Sequence, residues 1–285
     1  MSEFVTRFAP SPTGYLHLGH AFSALIAFDA ATKINGRFIL RIEDIDLGRC
    51  KAEFEQAIYD DLQWLGLRWE QPVRRQSDHF AEYTTALEKL RSKEVVYRCF
   101  KTRKEITDEI ARAPHLAPEG PEGAPYIGAR PAVLEESALL AEGKAYAWRI
   151  SIQRAKEVLG SAYDGLSFVE QTDQGSRTIA ATPDIFGDIV VARKDFGTSY
   201  HLSSAHDDAL QGITHIIRGT DLYHAAHLHV LLQTLLDYPT PIYQHHRLIT
   251  DESGSRLAKR NKSATIKSLR ESGVTPQEIR TQLGL

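Results

Sequence analysis

Cysteine is scarce in this chain. Cys50 and Cys99 are the two in 285 residues. Two thiols are too few for a disulfide framework and cannot by themselves complete a four-ligand zinc site. A reducing compartment fits that usage. Long apolar runs are missing too, none approaching the roughly 20 residues of a membrane span. The first residues, Met1-Ser2-Glu3-Phe4-Val5-Thr6-Arg7, lack the basic-then-apolar order of a secretion signal. A cytoplasmic location and no membrane partner are therefore expected. Neither sign of charge dominates, since the formal net charge is -3. That excludes a bulk polycation and leaves room only for a local basic patch. Internal repeats and low-complexity tracts are absent as well. What is present is an ordinary globular composition, 42% hydrophobic and 25% charged. It supplies enough apolar mass for one large domain or a domain with insertions.

The opening pattern is the clearest. Phe4 to Ala9 reads as a strand and ends in a Pro/Gly turn through Gly14. An alanine-rich helix is expected from about Leu18 to Thr32, and a second strand from Arg37 to Asp44 after the Asn35-Gly36 turn. Strand, glycine turn, helix, strand is a βαβ unit, the building block of a nucleotide-binding parallel sheet. Helices are expected over Glu53 to Leu65 and Phe80 to Leu90, with a short strand at Val95-Val96-Tyr97. Arg112 to Pro131 is dense in proline and reads as a loop or loosely packed insertion. Lys144 to Ile152, Ser167 to Thr172 and Asp188 to Arg193 read as strands of a smaller antiparallel or mixed module. Ile213 to Gly219 is a buried strand before a helix over His224 to Leu236, whose inner side carries His227, Leu228, Leu231, Leu232 and Leu235. One or two helices close the chain, Ala264 to Ser272 and Pro276 to Leu283.

Two segments carry candidate chemistry. In Pro10-Ser11-Pro12-Thr13-Gly14-Tyr15-Leu16-His17-Leu18-Gly19-His20, the prolines stiffen the turn, and Gly14 and Gly19 remove side chains where a ligand would approach. His17 and His20 stand three apart at a helix start, so they share a face. A helix N-terminus with two imidazole N–H groups suits the phosphates of ATP. A zinc reading of the two histidines has no HExxH or cysteine cluster behind it. Far downstream, Arg256-Leu257-Ala258-Lys259-Arg260 follows the polar run Asp251-Glu252-Ser253-Gly254-Ser255. It could bring a lysine to the same phosphates from a closing loop, or it could be a solvated basic loop.

With these residues in view, the chain resembles the class I aminoacyl-tRNA synthetases. Arg7-Phe8-Ala9-Pro10-Ser11-Pro12-Thr13-Gly14 with His17-Leu18-Gly19-His20 is similar to their "HIGH" signature, in the form used by the glutamyl/glutaminyl branch. Arg41-Ile42-Glu43-Asp44-Ile45-Asp46 resembles that branch's RIEDTD segment. Asp208 to Asp221, with Gly212-Ile213-Thr214-His215-Ile216-Ile217-Arg218-Gly219 inside it, resembles another. Arg256 to Arg260 sits where the KMSKS loop belongs. The matches run from residue 5 to 260 in the right order.

The resemblance implies a fold, a site and partners. The fold is α/β, a Rossmann-type parallel-sheet domain in two halves (1–97 and 196–240). Residues 98–195 form an inserted α+β subdomain of the acceptor-binding kind, and 241–285 form the KMSKS-like loop and a short helical end without an anticodon-binding domain. ATP, with Mg²⁺ travelling alongside it, would be held by Pro10, Gly14, His17, Gly19, His20, Arg256 and Lys259. L-glutamate would be held by Arg7, Ala9, Ser11, Glu43, Tyr200 and Arg218. The two arginines suit carboxylates, because a guanidinium binds them bidentately, and Glu43 suits the α-ammonium. His17, His20 and Lys259 would be the catalytic set. Each has a plainer alternative: Arg41, Glu43, Asp44 and Asp46 could be a strand-end salt-bridge network, and Tyr200 a core aromatic.

Departures from the family pattern matter as much. In the late loop only Lys259 matches, with Arg256, Ala258 and Arg260 replacing a lysine and two serines. The chain stops at Leu285, short of an anticodon-reading domain, which makes it similar to the short glutamyl-queuosine tRNA(Asp) synthetases. The expected reaction is activation of glutamate without tRNA, then transfer to queuosine in the anticodon loop of tRNA(Asp), by a monomer. A zinc site of the CxC-and-tyrosine kind is not expected, since Cys99-Phe100-Lys101 and Tyr126 to Arg130 offer one thiolate and one phenol. Lys101 is instead placed to pair with a nearby carboxylate. Three alternatives stay open: a short synthetase charging tRNA(Glu), a non-catalytic glutamate or tRNA sensor, and another adenylyl-transferring relative.

Overall fold

The computed structural model describes residues 3–112, 120–121, 123, 125–249 and 264–285. Val5–Phe8 forms β1, with every residue buried. The chain then turns into α1, Leu18–Lys33, and returns as β2, Arg37–Ile42. β2 runs parallel to β1, with Val5 opposite Arg37 and Phe8 opposite Leu40. Buried Ala21, Ala24, Ala27 and Ala31 let α1 lie close to the sheet. The turn before β2 needs its two residues. Asn35 has a φ of 52°, a left-handed conformation that asparagine tolerates. A Cβ on Gly36 would sit 2.6 Å from the Phe4 carbonyl oxygen. The expected βαβ opening is therefore present.

The remaining elements follow in order. They are α2 (Ala52–Trp64), β3 (Arg74–Arg75), α3 (Phe80–Ser92), β4 (Val96–Cys99), α4 (Arg103–Arg112), α5 (Val133–Ala141) and β5 (Ala147–Ile150). Next come α6 (Ile152–Leu159), α7 (Ser161–Asp164), β6 (Ser167–Thr172), β7 (Gly175–Ala180), β8 (Val190–Arg193) and α8 (Tyr200–Leu210). β9 (His215–Gly219), α9 (Ala225–Leu236), β10 (Ile242–His246), α10 (Ile266–Glu271) and α11 (Pro276–Leu283) complete the chain.

β1, β2 and β3 form one parallel sheet, and β7, β6, β10 and β9 a second that is parallel except for the β6–β7 hairpin. The two meet where β9 approaches β1. The Thr214 N–H donates to the Val5 carbonyl at 3.0 Å, and the Val5 N–H to Thr214 Oγ1 at 2.8 Å. From this seam β1 leads through α1 to one side and β9 leads through α9 to the other. Such a reversal opens a crevice at the carboxyl ends of the strands, where α/β sheets bind ligands.

β4, β5 and β8 make a separate antiparallel sheet. Ser167 to Thr172 is a strand as expected, but it does not join that small module. It pairs with β10 in the large sheet, Glu170 opposite Tyr243. Alternation of polar and apolar residues identifies a strand without naming its neighbour, which here lies far along the chain.

Side-chain alternation along the strands sorts the core onto two faces. Phe38, Leu40 and Ile42 pack with α1, α2, α10 and α11. Ile39, one residue out of phase, packs with α3, α8 and α9. Arg7 and Arg41 point to this second face, where α8 lies. α9 is buried almost all round, beyond the inner side expected for it. The segment after β7 also packs against it, the Thr182 N–H donating to His227 Nδ1 at 3.0 Å. Among the described residues no helix is long and apolar enough to cross a membrane.

Candidate active site

His17 and His20 build the start of α1 themselves. The Gly19 N–H donates to His17 Nδ1 at 3.1 Å, and the His17 N–H donates to His20 Nδ1 at 3.2 Å. Two helix donors that would otherwise be orphaned are satisfied reciprocally, a capping box made of imidazoles. The rings stack with centroids 3.7 Å apart. Since both Nδ1 atoms accept, each neutral ring carries its proton on Nε2. Gly19 has a second reason to be glycine, because a Cβ there would press on His17 Cε1 at 3.0 Å.

A cleft of about 270 Å³ opens at the seam between β1 and β9. It brings together Arg7, Ala9, His17, Gly19, His20, Glu43, Tyr200 and Arg218. These eight come from β1 and the turn after it, from α1, from the end of β2, from the start of α8 and from β9. Pro10, Ser11 and Gly14, also expected in the site, are not among its lining residues. The proline turn instead leans towards the chain ahead of α2. Ser11 Oγ lies 3.9 Å from Cys50 Sγ, and the Pro12 carbonyl accepts the Lys51 N–H at 3.1 Å. Pro10 serves through its carbonyl, which accepts the Glu43 N–H at 3.0 Å and fixes the end of β2.

A buried ionic network underlies the cleft. Arg7 donates from Nε to Asp208 at 2.9 Å and from Nη2 at 3.4 Å. Arg41, fully buried, reaches Asp208 at 2.9 Å, Gln211 at 2.9 Å and Glu43 at 3.0 Å. Asp207 accepts from Arg74, Gln76 and Tyr83, and Asp44 from Arg75, Ser77 N–H and Ser77 Oγ. Two members of this network, Arg7 and Glu43, also line the cleft. Burial raises the Glu43 pKa against the pull of Arg41.

Arg218 differs from Arg7 and Arg41. Its Nε donates to His245 Nε2 at 3.2 Å. Its Nη1 and Nη2 are buried and have no hydrogen-bond partner among the described residues. A buried guanidinium with its fork unmatched, in the wall of a cleft, is built for an acceptor that arrives from outside. Tyr200, raised in pKa by burial, lines the same cleft.

Sequence reasoning missed several lining residues, Ser23, Asp221, His246 and Arg247 among them. Ser23 had a signal, since it stands one helical turn after His20, and its hydroxyl meets His246 Nε2 at 2.8 Å. Arg256 and Lys259 lie outside the described residues. The described residues on either side are close to the cleft. Ile249 lines it, and Thr265 forms an antiparallel bridge with His17, next to a bond from the Ile266 N–H to the Leu16 carbonyl at 2.8 Å.

Among the described residues no group of three or more His, Cys, Asp or Glu could hold a metal. Where a zinc ligand would stand in the insertion, Lys101 pairs with Glu109 and sits 5.7 Å from the centre of the Tyr126 ring. Buried Cys99, Tyr97, Ile106 and Tyr126 pack together there.

The family described as "tRNA synthetases class I (E and Q), catalytic domain" matches residues 3–285. The chain belongs to this family. It is therefore a ligase-type enzyme of the aminoacyl-tRNA synthetase class, in the branch for glutamate and glutamine, and class I synthetases use ATP with Mg²⁺. A glutamyl-Q tRNA(Asp) synthetase of Rhodobacter capsulatus is 43% identical over 99% of this chain and 100% of its own length. Among the synthetases for glutamate, the glutamate–tRNA ligase of Aquifex aeolicus is 36% identical over 98% of this chain, which spans 56% of that protein. A crystal structure of a glutamate tRNA ligase from Elizabethkingia meningosepticum in complex with its amino acid superposes with a TM-score of 0.77 at 25% identity, over 100% of this chain and 61% of that one. The Rossmann-type class I fold is thus supported by both sequence and shape.

Proposed function

We propose that this chain activates L-glutamate with ATP, without tRNA, and transfers the glutamyl group to queuosine in the anticodon loop of tRNA(Asp). The observation that carries the glutamate half is the unmatched Arg218 fork in a cleft that also holds the His17/His20 turn. The queuosine half is supported by the R. capsulatus relative, matched along its whole length.

In this assignment Arg218 takes a carboxylate of glutamate and Glu43 its ammonium. Arg7 lines the same wall, with two of its nitrogens committed to Asp208. Tyr200 and the backbone at Ala9 close the pocket, while Ser11 and Gly14 shape the turn outside it. The glutamate α-carboxylate attacks the α-phosphorus of ATP, and pyrophosphate leaves as the acyl–phosphate bond forms. Mg²⁺ enters with ATP as part of the substrate. The Nε2–H groups of His17 and His20 stabilise charge gathering at the α-phosphate, and Lys259, with Arg256, meets the departing pyrophosphate from the late loop. A hydroxyl of the queuosine cyclopentenediol then attacks the adenylate and AMP leaves. Positioning and fixed charge supply the acceleration.

The organisation proposed with it is two sheet-forming halves, 1–97 and 196–240, an insertion over 98–195 to which β6 and β7 are exceptions, and a loop and helical end over 241–285. The enzyme works as a cytoplasmic monomer, without a structural zinc.

Two measurements test the proposal. Glutamate must drive ATP–pyrophosphate exchange with no tRNA added. Mass spectrometry of anticodon-loop nucleosides must then find glutamylated queuosine in tRNA(Asp) treated with the enzyme. Exchange without that product, together with glutamate on the 3′ end of tRNA(Glu), would reassign the acceptor.

A further inference from the structure

We propose that Glu170 and His245 are positioning residues that orient the Arg218 fork, so that the cleft accepts a carboxylate and rejects a carboxamide. This rests on the assignment of the cleft as a glutamate pocket and adds the device that aims its arginine.

Three adjacent strands supply the parts. β6, β10 and β9 run parallel, with Glu170 opposite Tyr243 and Arg218 opposite His245. Tyr243 and His245 are two apart and so share a face. Their rings are nearly parallel, at 7°. The Arg218 guanidinium lies over the Tyr243 ring, 5.2 Å from its centre.

The proton positions follow from donor chemistry. A guanidinium has donors only. Arg218 Nε reaches His245 Nε2 at 3.2 Å, so that nitrogen must accept. His245 is then neutral with its proton on Nδ1. Nδ1 faces both oxygens of Glu170, at 2.9 and 3.1 Å, and the His245 backbone N–H also donates to Glu170 Oε1 at 3.3 Å. Glu170 therefore selects the tautomer, the tautomer anchors Nε, and the anchor leaves Nη1 and Nη2 facing the ligand. Burial and the neighbouring Arg218 push the His245 pKa down to about 3, which keeps the acceptor available. The protonated ring would turn an N–H against an N–H.

The consequence is selectivity. A carboxylate presents acceptors to both nitrogens of the fork. A carboxamide rotated into the same place sets its NH₂ against an N–H, leaving two buried donors unpaired. That discrimination works only while the fork is held in plane.

The test uses the full chain in ATP–pyrophosphate exchange. His245→Phe removes the acceptor and keeps a flat ring, and His245→Gln returns an oxygen near the Nε2 position. Should Phe overfill the site, His245→Leu carries the same test. The expected result is a rise in KM for glutamate of about tenfold to a hundredfold in His245→Phe, with KM for ATP unchanged. The glutamate-over-glutamine preference should fall with it, and His245→Gln should recover most of both. An unchanged glutamate KM, a parallel rise in ATP KM, or a Gln variant no better than Phe overturns the positioning role. A wild-type enzyme with no glutamate-dependent exchange overturns the pocket itself and the proposal with it.

Discussion

Asp61 measures how the C-terminal helices are held. It lies on α2 with its carboxyl fully buried, and neither oxygen has a hydrogen-bond partner among the described residues. Arg270 of α10 approaches it at 3.4 Å. Burial raises its pKa from 3.8 to about 6, against the opposing pull of Arg270 and Lys267. A folded-state pKa above the unfolded one means that the native state holds this proton more tightly. Below the unfolded value both states are protonated, and the native state loses nothing. As pH rises through the folded value, a carboxylate must form in a poorly solvated site, and stability falls. The gap is roughly two pH units, and at about 1.4 kcal/mol per unit it amounts to about 3 kcal/mol. Asp61→Asn keeps the shape and cannot ionise. Urea unfolding of both proteins across the range measures the difference at each pH. Relative to wild type, the variant should gain about 3 kcal/mol between about pH 4 and about pH 7.5. A difference that stays flat, or a variant that loses ground as pH rises, would refute the reasoning. A flat difference would mean that attraction to Arg270 balances the desolvation of Asp61, and a loss that it outweighs it.

Three other outcomes are expected. Arg218→Lys should lower kcat/KM for glutamate in pyrophosphate exchange by about a hundredfold, because one ammonium replaces a planar two-nitrogen fork, while KM for ATP stays put. Asp207→Ala should destabilise the protein by about 3–5 kcal/mol in urea, since it strands buried Gln76 and Tyr83 and leaves Arg74 without its buried partner. Gly36→Ala should lower stability by about 1–3 kcal/mol, measured the same way, because the new methyl collides with the Phe4 carbonyl and the turn has to shift.

The parts of the site that were legible in the sequence are covalently local. Strand, proline turn and paired histidines fall within 16 residues of chain (5–20), and short-range sterics dictate their geometry. The charge of Arg218 and its suitability for a carboxylate were also legible, from residue type. What was not legible depends on distant packing. Arg7 reads as a free cation until α8 is placed beneath β1, which brings Asp208 to it. The Arg218 anchor was hidden for the same reason, since His245 lies in Ile-Tyr-Gln-His-His, a strand too polar to announce itself and preceded by Pro239 and Pro241. Ser11 shows the reverse case. Its place inside a signature marks it as a ligand candidate, and in the structure its Oγ lies 3.9 Å from Cys50 Sγ, outside the cleft lining.

The bridge between His17 and Thr265 has a practical cost for anyone mapping this enzyme by deletion. Helices α10 and α11 brace the His17/His20 turn from behind: Ile266 and Ile279 are buried in the same core as α1, and Arg280 grips Asp29 of α1 at 2.8 and 2.9 Å. Under the proposed function, trimming them should abolish glutamyl transfer, and so should the loss of an RNA contact. The two explanations separate one step earlier. A lost brace also weakens adenylate formation, whereas a lost RNA contact leaves it intact, so truncated forms have to be scored on pyrophosphate exchange before any tRNA is added.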